Sequence, residues 1–276
     1  MMADDSEWTE VGAAAAVLRS GGSRGGFQIR EAGAPPSRGE RRVEAVQVEI
    51  YADIICPWCY AGVRRFERAL AKFPRASSVE VRYRPYRLDA HAPPTAVRLL
   101  PLLEKQLDRR RQERVRYTRA IVSEVARDEG IEIAWERILR VDTSSAHRLL
   151  GLAWREYGSA MQRGLIERLF KAHFKRGANV ADHRLLTALA AAEGMDPGQV
   201  RVYLASGDGA NELRCDLEDA QRRVNGVPTF VFNGELAMDG SQDLPTFLHA
   251  LEAVGAAGTG RAYGRARFSV AHGVDR

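Results

Sequence analysis

Cys56 and Cys59 are separated by Pro57 and Trp58, and two thiols at that spacing can exchange disulfides. Before the pair runs Val46-Gln47-Val48-Glu49-Ile50-Tyr51, an apolar stretch that reads as a strand. After it, Val63, Phe66, Leu70 and Phe73 recur at helical spacing between Tyr60 and Phe73. A Cys-x-x-Cys at a strand-to-helix turn points to redox chemistry rather than to a structural crosslink. The helix N-terminus offers unpaired N–H groups and the positive end of the macrodipole, and both favour a thiolate at Cys56. Cys59 follows one helical turn on, close enough to attack a mixed disulfide formed at Cys56. Pro57 falls in the first turn, where a missing N–H costs little.

Zinc is the rival reading of a Cys-x-x-Cys, but it needs two more ligands at comparable spacing. The third and last cysteine is Cys215, and the six histidines form no His-x-x-x-His pair near it. No metal and no cofactor are therefore expected. Two merely buried cysteines would leave the strand–Cys-Pro-Trp-Cys–helix context unexplained.

The elements that must position this pair fit a globular chain. At 276 residues, 45% hydrophobic and 28% charged, there is ample length for a core. Three cysteines, an odd number, argue against a disulfide framework. No apolar run is long enough for a membrane span. The formal charge of +5 permits an anionic partner, but no nucleic-acid motif accompanies it. Arg109-Arg110-Arg111 with Arg114, Arg116 and Arg119 reads as a solvated helix face, so no nucleic-acid partner is expected.

Residues 1–43 read as a disordered tail, with Gly21-Gly22, Gly25-Gly26 and Pro35-Pro36 and no sustained periodicity. Asp4, Asp5, Glu7 and Glu10 precede its short Ala-rich patch, whereas a secretory signal wants a positive start. A cytoplasmic location follows as the expectation. Val79 to Arg84 alternates strictly and reads as a second strand ended by Pro85. From about Thr95 to Arg223 the patterns are helical. They give one or two charged helices over 99–130, then helices over 144–157, 164–174, 182–194, 197–205 and 208–223. Asp182 and Asp196 are candidate N-caps, the second followed by Pro197. Val227 to Phe232 returns to strand, Asn233-Gly234 signals a hairpin, and a helix is expected over 244–254.

That order resembles the thioredoxin fold with a helical insertion, as in the DsbA-like proteins, and within them the FrnE-type subfamily. The resemblance rests on Asp53-Ile54-Ile55-Cys56-Pro57-Trp58-Cys59-Tyr60 with Gly62 and Arg64-Arg65-Phe66. Tyr83-Arg84-Pro85-Tyr86, Ala146-His147-Arg148-Leu149, Gly226-Val227-Pro228-Thr229-Phe230-Val231 and Gly240-Ser241-Gln242 extend it. It covers residues 46–254. It implies an α/β chain, with a thioredoxin-fold domain over 44–92 and 224–255. An all-helical domain is inserted over 93–223, and a flexible tail follows over 256–276. It also implies a cis Pro228 beside the cysteines, with the Val227 backbone available to a substrate chain as an added strand.

The activity implied is thiol–disulfide exchange or isomerisation on a protein or small-molecule disulfide or dithiol. Cys56 attacks, Cys59 resolves, and Pro57 and Trp58 tune the pair. Glutathione or a thioredoxin-type protein would recycle it, and a homodimer is compatible with it. Direction depends on potential, which no motif fixes. Two alternatives stay open. One is a glutathione-dependent transferase or isomerase of the kappa-class or hydroxychromene-carboxylate-isomerase type, which shares this fold and has Ser where Cys56 stands. The other is a chaperone-like binding protein.

Smaller readings complete the survey. Asp53 is taken as a turn or capping residue before a role in proton transfer. Many thioredoxin-like proteins carry an acid six residues before the first cysteine, where this chain has Ile50. The resemblance implies that His147 lines the site, whereas a lone helical histidine by itself reads as structural; Cys215 reads as an inert thiol, and Trp135 and Trp154 as core.

Overall fold

The computed structural model describes residues 45–93, 95–257 and 267–269. The tail expected over 1–43 lies outside them. β1 (Val46–Ala52), α1 (Pro57–Lys72) and β2 (Val79–Pro85) come first. The insertion carries β3 (Val97–Arg98), α2 (Leu99–Gln106), α3 (Arg109–Asp128), β4 (Leu139–Arg140), α4 (Ser144–Tyr157) and α5 (Ser159–Phe170). It continues with a π-helical turn, Lys171–Lys175, then α6 (His183–Glu193), α7 (Pro197–Ala205) and α8 (Ala210–Arg223). The chain ends as β5 (Thr229–Phe232), β6 (Leu236–Asp239), α9 (Leu244–Ala257) and β7 (Arg267–Ser269).

The main sheet has the order β2–β1–β5–β6–β7. β1 runs parallel to β2, with Val46 opposite Val79, and antiparallel to β5, with Ile50 opposite Phe230. Asn233 and Gly234 turn the chain from β5 to β6 at φ 49° and 70°, left-handed conformations that bring the Glu235 N–H back to the Phe232 carbonyl at 3.0 Å.

Two expectations need correction. The insertion is not all helical, because β3 and β4 form a two-residue antiparallel ladder, Val97 opposite Arg140 and Arg98 opposite Leu139. The stretch from 256 onward is not all a flexible tail. α9 runs to Ala257, and Arg267–Ser269 adds to β6 in parallel, filling an edge whose backbone groups would otherwise lack partners. The charged segment after Leu99 is two helices, because Asp108 caps α3 by accepting the Arg111 N–H at 2.8 Å. No described helix is long and apolar enough to cross a membrane.

The helical periodicity after the cysteines places α1 in the core. Val63, Phe66, Leu70 and Phe73 are all buried. The Phe66 ring meets those of Phe230, Phe232 and Phe247, from β5 and α9. The insertion docks on the opposite flank, along the edge strand β2. Gln162 of α5 accepts the Tyr83 N–H at 2.8 Å and donates to the Tyr83 and Leu150 carbonyls at 3.1 Å. Ser159 donates to the Val81 carbonyl at 2.7 Å. A helix thus supplies partners to a sheet edge, which anchors the insertion and blunts the edge together.

Candidate active site

The turn from β1 into α1 sets the cysteines. The Cys56 N–H donates to the Asp53 carbonyl at 3.1 Å, and Cys56 takes the N-cap position at φ −88° and ψ 111°. Its Sγ accepts the Cys59 N–H at 3.3 Å, so the sulfur does what a capping oxygen does in other helices. The Val227 carbonyl lies 4.0 Å from the same Sγ. Pro57 fills the first helical position. Both cysteines are thiols and both are fully buried. Burial pushes the Cys59 thiol well above its ordinary range, and the hydrogen bond and charge of Cys56 add to that. Trp58 is buried beside them, and its indole N–H has no hydrogen-bond partner among the described residues.

The second wall is the loop before β5. The Val227–Pro228 peptide bond is cis. The Pro228 carbonyl accepts the Gly240 N–H at 2.7 Å. The Thr229 hydroxyl lies 2.8 Å from both the Gly226 carbonyl and Asp239 Oδ1. α1 approaches this loop closely at Gly62. A Cβ there would come to 3.2 Å from Pro228 Cγ and 3.3 Å from Ser241 Cα. Arg65 donates to the Ser241 carbonyl at 3.1 Å from the next turn of the helix. The structure therefore brings Cys56, Cys59, Pro57, Trp58, Val227 and Pro228 into one place.

Behind the cysteines stands a polar cluster of Asp53, His147 and His173, the last of which the sequence did not single out. The carbonyl of Asp53 serves the turn, as read, but its carboxylate caps nothing. It is fully buried, accepting the Leu88 N–H at 2.8 Å and facing His147 Nε2 of α4 at 3.3 Å. His147 is thus a partnered histidine, and its partner is three residues from Cys56. His173, in the π-helical turn, is fully buried, and neither ring nitrogen has a hydrogen-bond partner among the described residues. Burial lowers its pKa to about 4, although the charge of Asp53 acts in the other direction. Such turns often mark functional sites, but no spacing in the sequence announces one.

The remaining candidates lie apart. Cys215 is exposed on α8. Arg109, Arg110 and Arg111 are exposed on α3. Trp135 is buried and donates its indole N–H to Ser123 at 2.8 Å, whereas Trp154 is half-buried under Arg82. Among the described residues, no group of three or more His, Cys, Asp or Glu is arranged to hold a metal ion.

The family model of the DSBA-like thioredoxin domain matches residues 47–252. A probable DsbA oxidoreductase from Streptomyces coelicolor is 31% identical, with a TM-score of 0.68 over 79% of this chain and 92% of that one. Two further solved structures share the fold. A 2-hydroxychromene-2-carboxylate isomerase is 16% identical, with a TM-score of 0.57 over 77% of this chain and 98% of its own. The cytosolic disulfide reductase DsbM from Pseudomonas aeruginosa, solved with glutathione, is 17% identical, with a TM-score of 0.51 over 76% and 96%.

Proposed function

Because the chain belongs to the DSBA-like thioredoxin-domain family, we propose that it exchanges disulfides through Cys56 and Cys59. The observation that carries this reading is the asymmetry of the two thiols within one helical turn. Cys56 Sγ sits at the N-terminus of α1, receives the Cys59 N–H at 3.3 Å and lies 4.0 Å from the Val227 carbonyl of the facing loop. Cys59 is held protonated by its burial. Cys56 is then the attacking sulfur, forming a mixed disulfide as the substrate's own disulfide breaks. Cys59 attacks Cys56 in turn, closing the Cys56–Cys59 bond and releasing the second substrate thiol. Run in reverse, the oxidised pair delivers its disulfide to a dithiol.

Val227 and Pro228 form the substrate wall, since the Val227 carbonyl already faces Cys56. Pro57 and Trp58 tune the pair by fixing the first turn of α1. Within the family we assign the FrnE type on the Cys-Pro-Trp-Cys and Gly-Val-Pro-Thr-Phe segments together. Glutathione or a thioredoxin-type protein is the recycling partner, and the sparse use of cysteine fits a reducing cytoplasm. The intact pair favours this reading over the glutathione-dependent isomerase one.

The test is a redox titration in glutathione buffers, read by alkylation and intact mass. A two-electron transition that closes a Cys56–Cys59 bond, and is lost in Cys56→Ser, is expected. If no intramolecular disulfide forms at any poise, the dithiol mechanism is wrong.

A further inference from the structure

β2 divides its side chains between the two faces of the sheet. Val81 and Tyr83 are buried, and Arg82 and Arg84 alternate with them, meeting Trp154 of α4 and Asp216 of α8. The two guanidinium groups are served unequally. Arg84 has three carboxylates within reach, Asp216 at 3.0 Å, Glu49 at 3.6 Å and Asp219 at 3.7 Å. Arg82 stands directly opposite Glu49 in the strand register. Yet among the described residues its side chain makes no ion pair and no hydrogen bond. Its guanidinium carbon lies 5.2 Å from the centre of the Trp154 ring. Burial and the neighbouring Arg84 cation pull the Arg82 pKa below its ordinary range, and Asp216, Glu49 and Tyr51 offset them in part. A half-buried cation without a counter-charge costs stability, and an anion from outside would relieve it.

The space beside Arg82 has the size for such a group. Arg82, Arg84 and Trp154 line a cavity of about 40 Å³ between β2, α4 and α8. That is room for roughly three water-sized groups, the bulk of one carboxylate. The cavity shares Arg155, Tyr203 and Glu212 with an outer cleft of about 510 Å³ at the start of α8. Arg148 fixes the segment that leads into α8. It donates to the Tyr203 and Ser206 carbonyls at 2.8 Å and to the Asp208 carbonyl at 2.9 Å. α8 starts after Gly209 with no side-chain cap, so the positive end of its dipole stands at this cleft. Glu212, in its first turn, is an exposed carboxylate that pairs with no cation among the described residues. Neither cysteine, nor Val227 or Pro228, lines the cavity or the cleft.

We propose that this cleft is a binding site for a small organic monocarboxylate. The Arg82 guanidinium, held over Trp154, pairs with the carboxylate inside the cavity. The rest of the ligand lies in the outer cleft beside Tyr203 and Asn211. Arginine suits the task because its fork can meet both carboxylate oxygens while its face rests on an aromatic ring. The ligand supplies the counter-charge that Arg82 lacks and breaks no existing pair. Glu212 at the mouth disfavours a second carboxylate on the same molecule. The occupied site bridges β2 of the sheet and α4 of the insertion, so binding also strengthens their docking. This site lies outside the disulfide exchange proposed above and stands without it.

The test uses the full chain, labelled with nitrogen-15, and follows arginine Nε–Hε signals by NMR. Succinamate, succinate or inorganic phosphate is added at constant ionic strength. The Arg82 signal, identified by its loss in Arg82→Met, is expected to move saturably with succinamate. Succinate should bind at least about threefold more weakly, and Glu212→Gln should remove that difference. In Arg82→Met, affinity for succinamate, read from the ligand-induced rise in melting temperature, should fall at least about tenfold. Without ligand, the same variant should unfold at a urea midpoint no lower than the parent's. An arginine kept for the fold would lower it, and a clear drop therefore overturns the proposal. If Arg82→Met does not fold, by circular dichroism, Arg82→Lys carries the comparison. It keeps the charge without the fork and should weaken binding at least about threefold. No saturable shift with any probe up to about 50 mM overturns the proposal. Phosphate bound more tightly than succinamate does so too, as does parent-like affinity in the Arg82 variants.

Discussion

On one side of α1, the Phe66 ring lies with its centroid 5.6 Å from Phe230, 6.3 Å from Phe232 and 5.6 Å from Phe247. On another side, Arg65 and Arg68 reach the buried Glu129 at 2.9 and 2.6 Å, and Arg64 reaches Glu167 at 3.2 Å. Glu67 pairs with Arg163 of α5. The sheet and α9 therefore hold the cysteine helix by apolar burial, which is strong and tolerant of direction. The insertion holds it largely by charged and hydrogen-bonded groups, which contribute less energy but fix geometry. A fully apolar contact could let the insertion slide on α1, whereas paired guanidinium and carboxylate groups set its register. Tyr60 adds two stacked contacts on that side, 4.8 Å from Phe170 and 5.8 Å from Phe174.

The sharpest way to break this comparison is at Phe66. Phe66→Ala should cost about 3–5 kcal/mol, through lost transfer energy and the cavity left behind. Urea unfolding with an unchanged slope would check it. A loss under about 1 kcal/mol would mean that the sheet side is not the dominant support.

Acid should act next, and on the insertion side. His173 stays neutral in the folded chain down to about pH 4, from a usual value of 6.5. The unfolded chain takes up its proton first as pH falls. The stability is thus fully present above about pH 6.5 and drains away as pH drops toward 4, by roughly 3 kcal/mol. Melting curves across that window should show the drop, and His173→Leu should flatten it. An equally steep loss in the variant would assign the acid sensitivity to other groups.

The smallest effect should come at the sheet edge. Gln162→Ala leaves the Tyr83 N–H and two carbonyls without their partner, at about 1–3 kcal/mol. Hydrogen exchange would sharpen the contrast, with faster exchange at Tyr83 and unchanged protection in β5. Equal loosening of both strands would show that the insertion and the sheet open as one unit.

What could be read from the sequence differs between these two sides in the same way. Val63, Phe66, Leu70 and Phe73 declare the apolar face because a helix repeats every 3.6 residues. Asn233-Gly234 declares the hairpin, and Asp182 and Asp196 declare two helix starts; they accept the Arg184 and Gln199 N–H groups at 2.8 and 2.6 Å. These are local rules. Asp53 and His147 lie 94 positions apart, and Gln162 lies 79 from Tyr83, so no local spacing encodes either pairing. The cysteine pair was legible because strand, turn, cap and helix are contiguous. The polar cluster behind it was not, because tertiary packing delivers His147 to Asp53. Trp154 departs from its reading as core for a related reason. Its apolar ring lies under the Arg82 guanidinium at 5.2 Å, so a cation covers it in place of apolar neighbours.

Gly62 ties the two walls of the site together through empty space. Its missing Cβ is what lets the cysteine helix lie against Pro228 and Ser241, where an added carbon would stand 3.2 and 3.3 Å away. A methyl group there would make either the helix or the loop retreat by a few tenths of an ångström. The gap between the Cys56 sulfur and the Val227 carbonyl would widen with it. One position that carries no reactive atom thus works as a spacer for the reaction centre. Graded substitutions at this position, alanine and then serine, would let an engineer adjust the width of the cleft without altering a thiol.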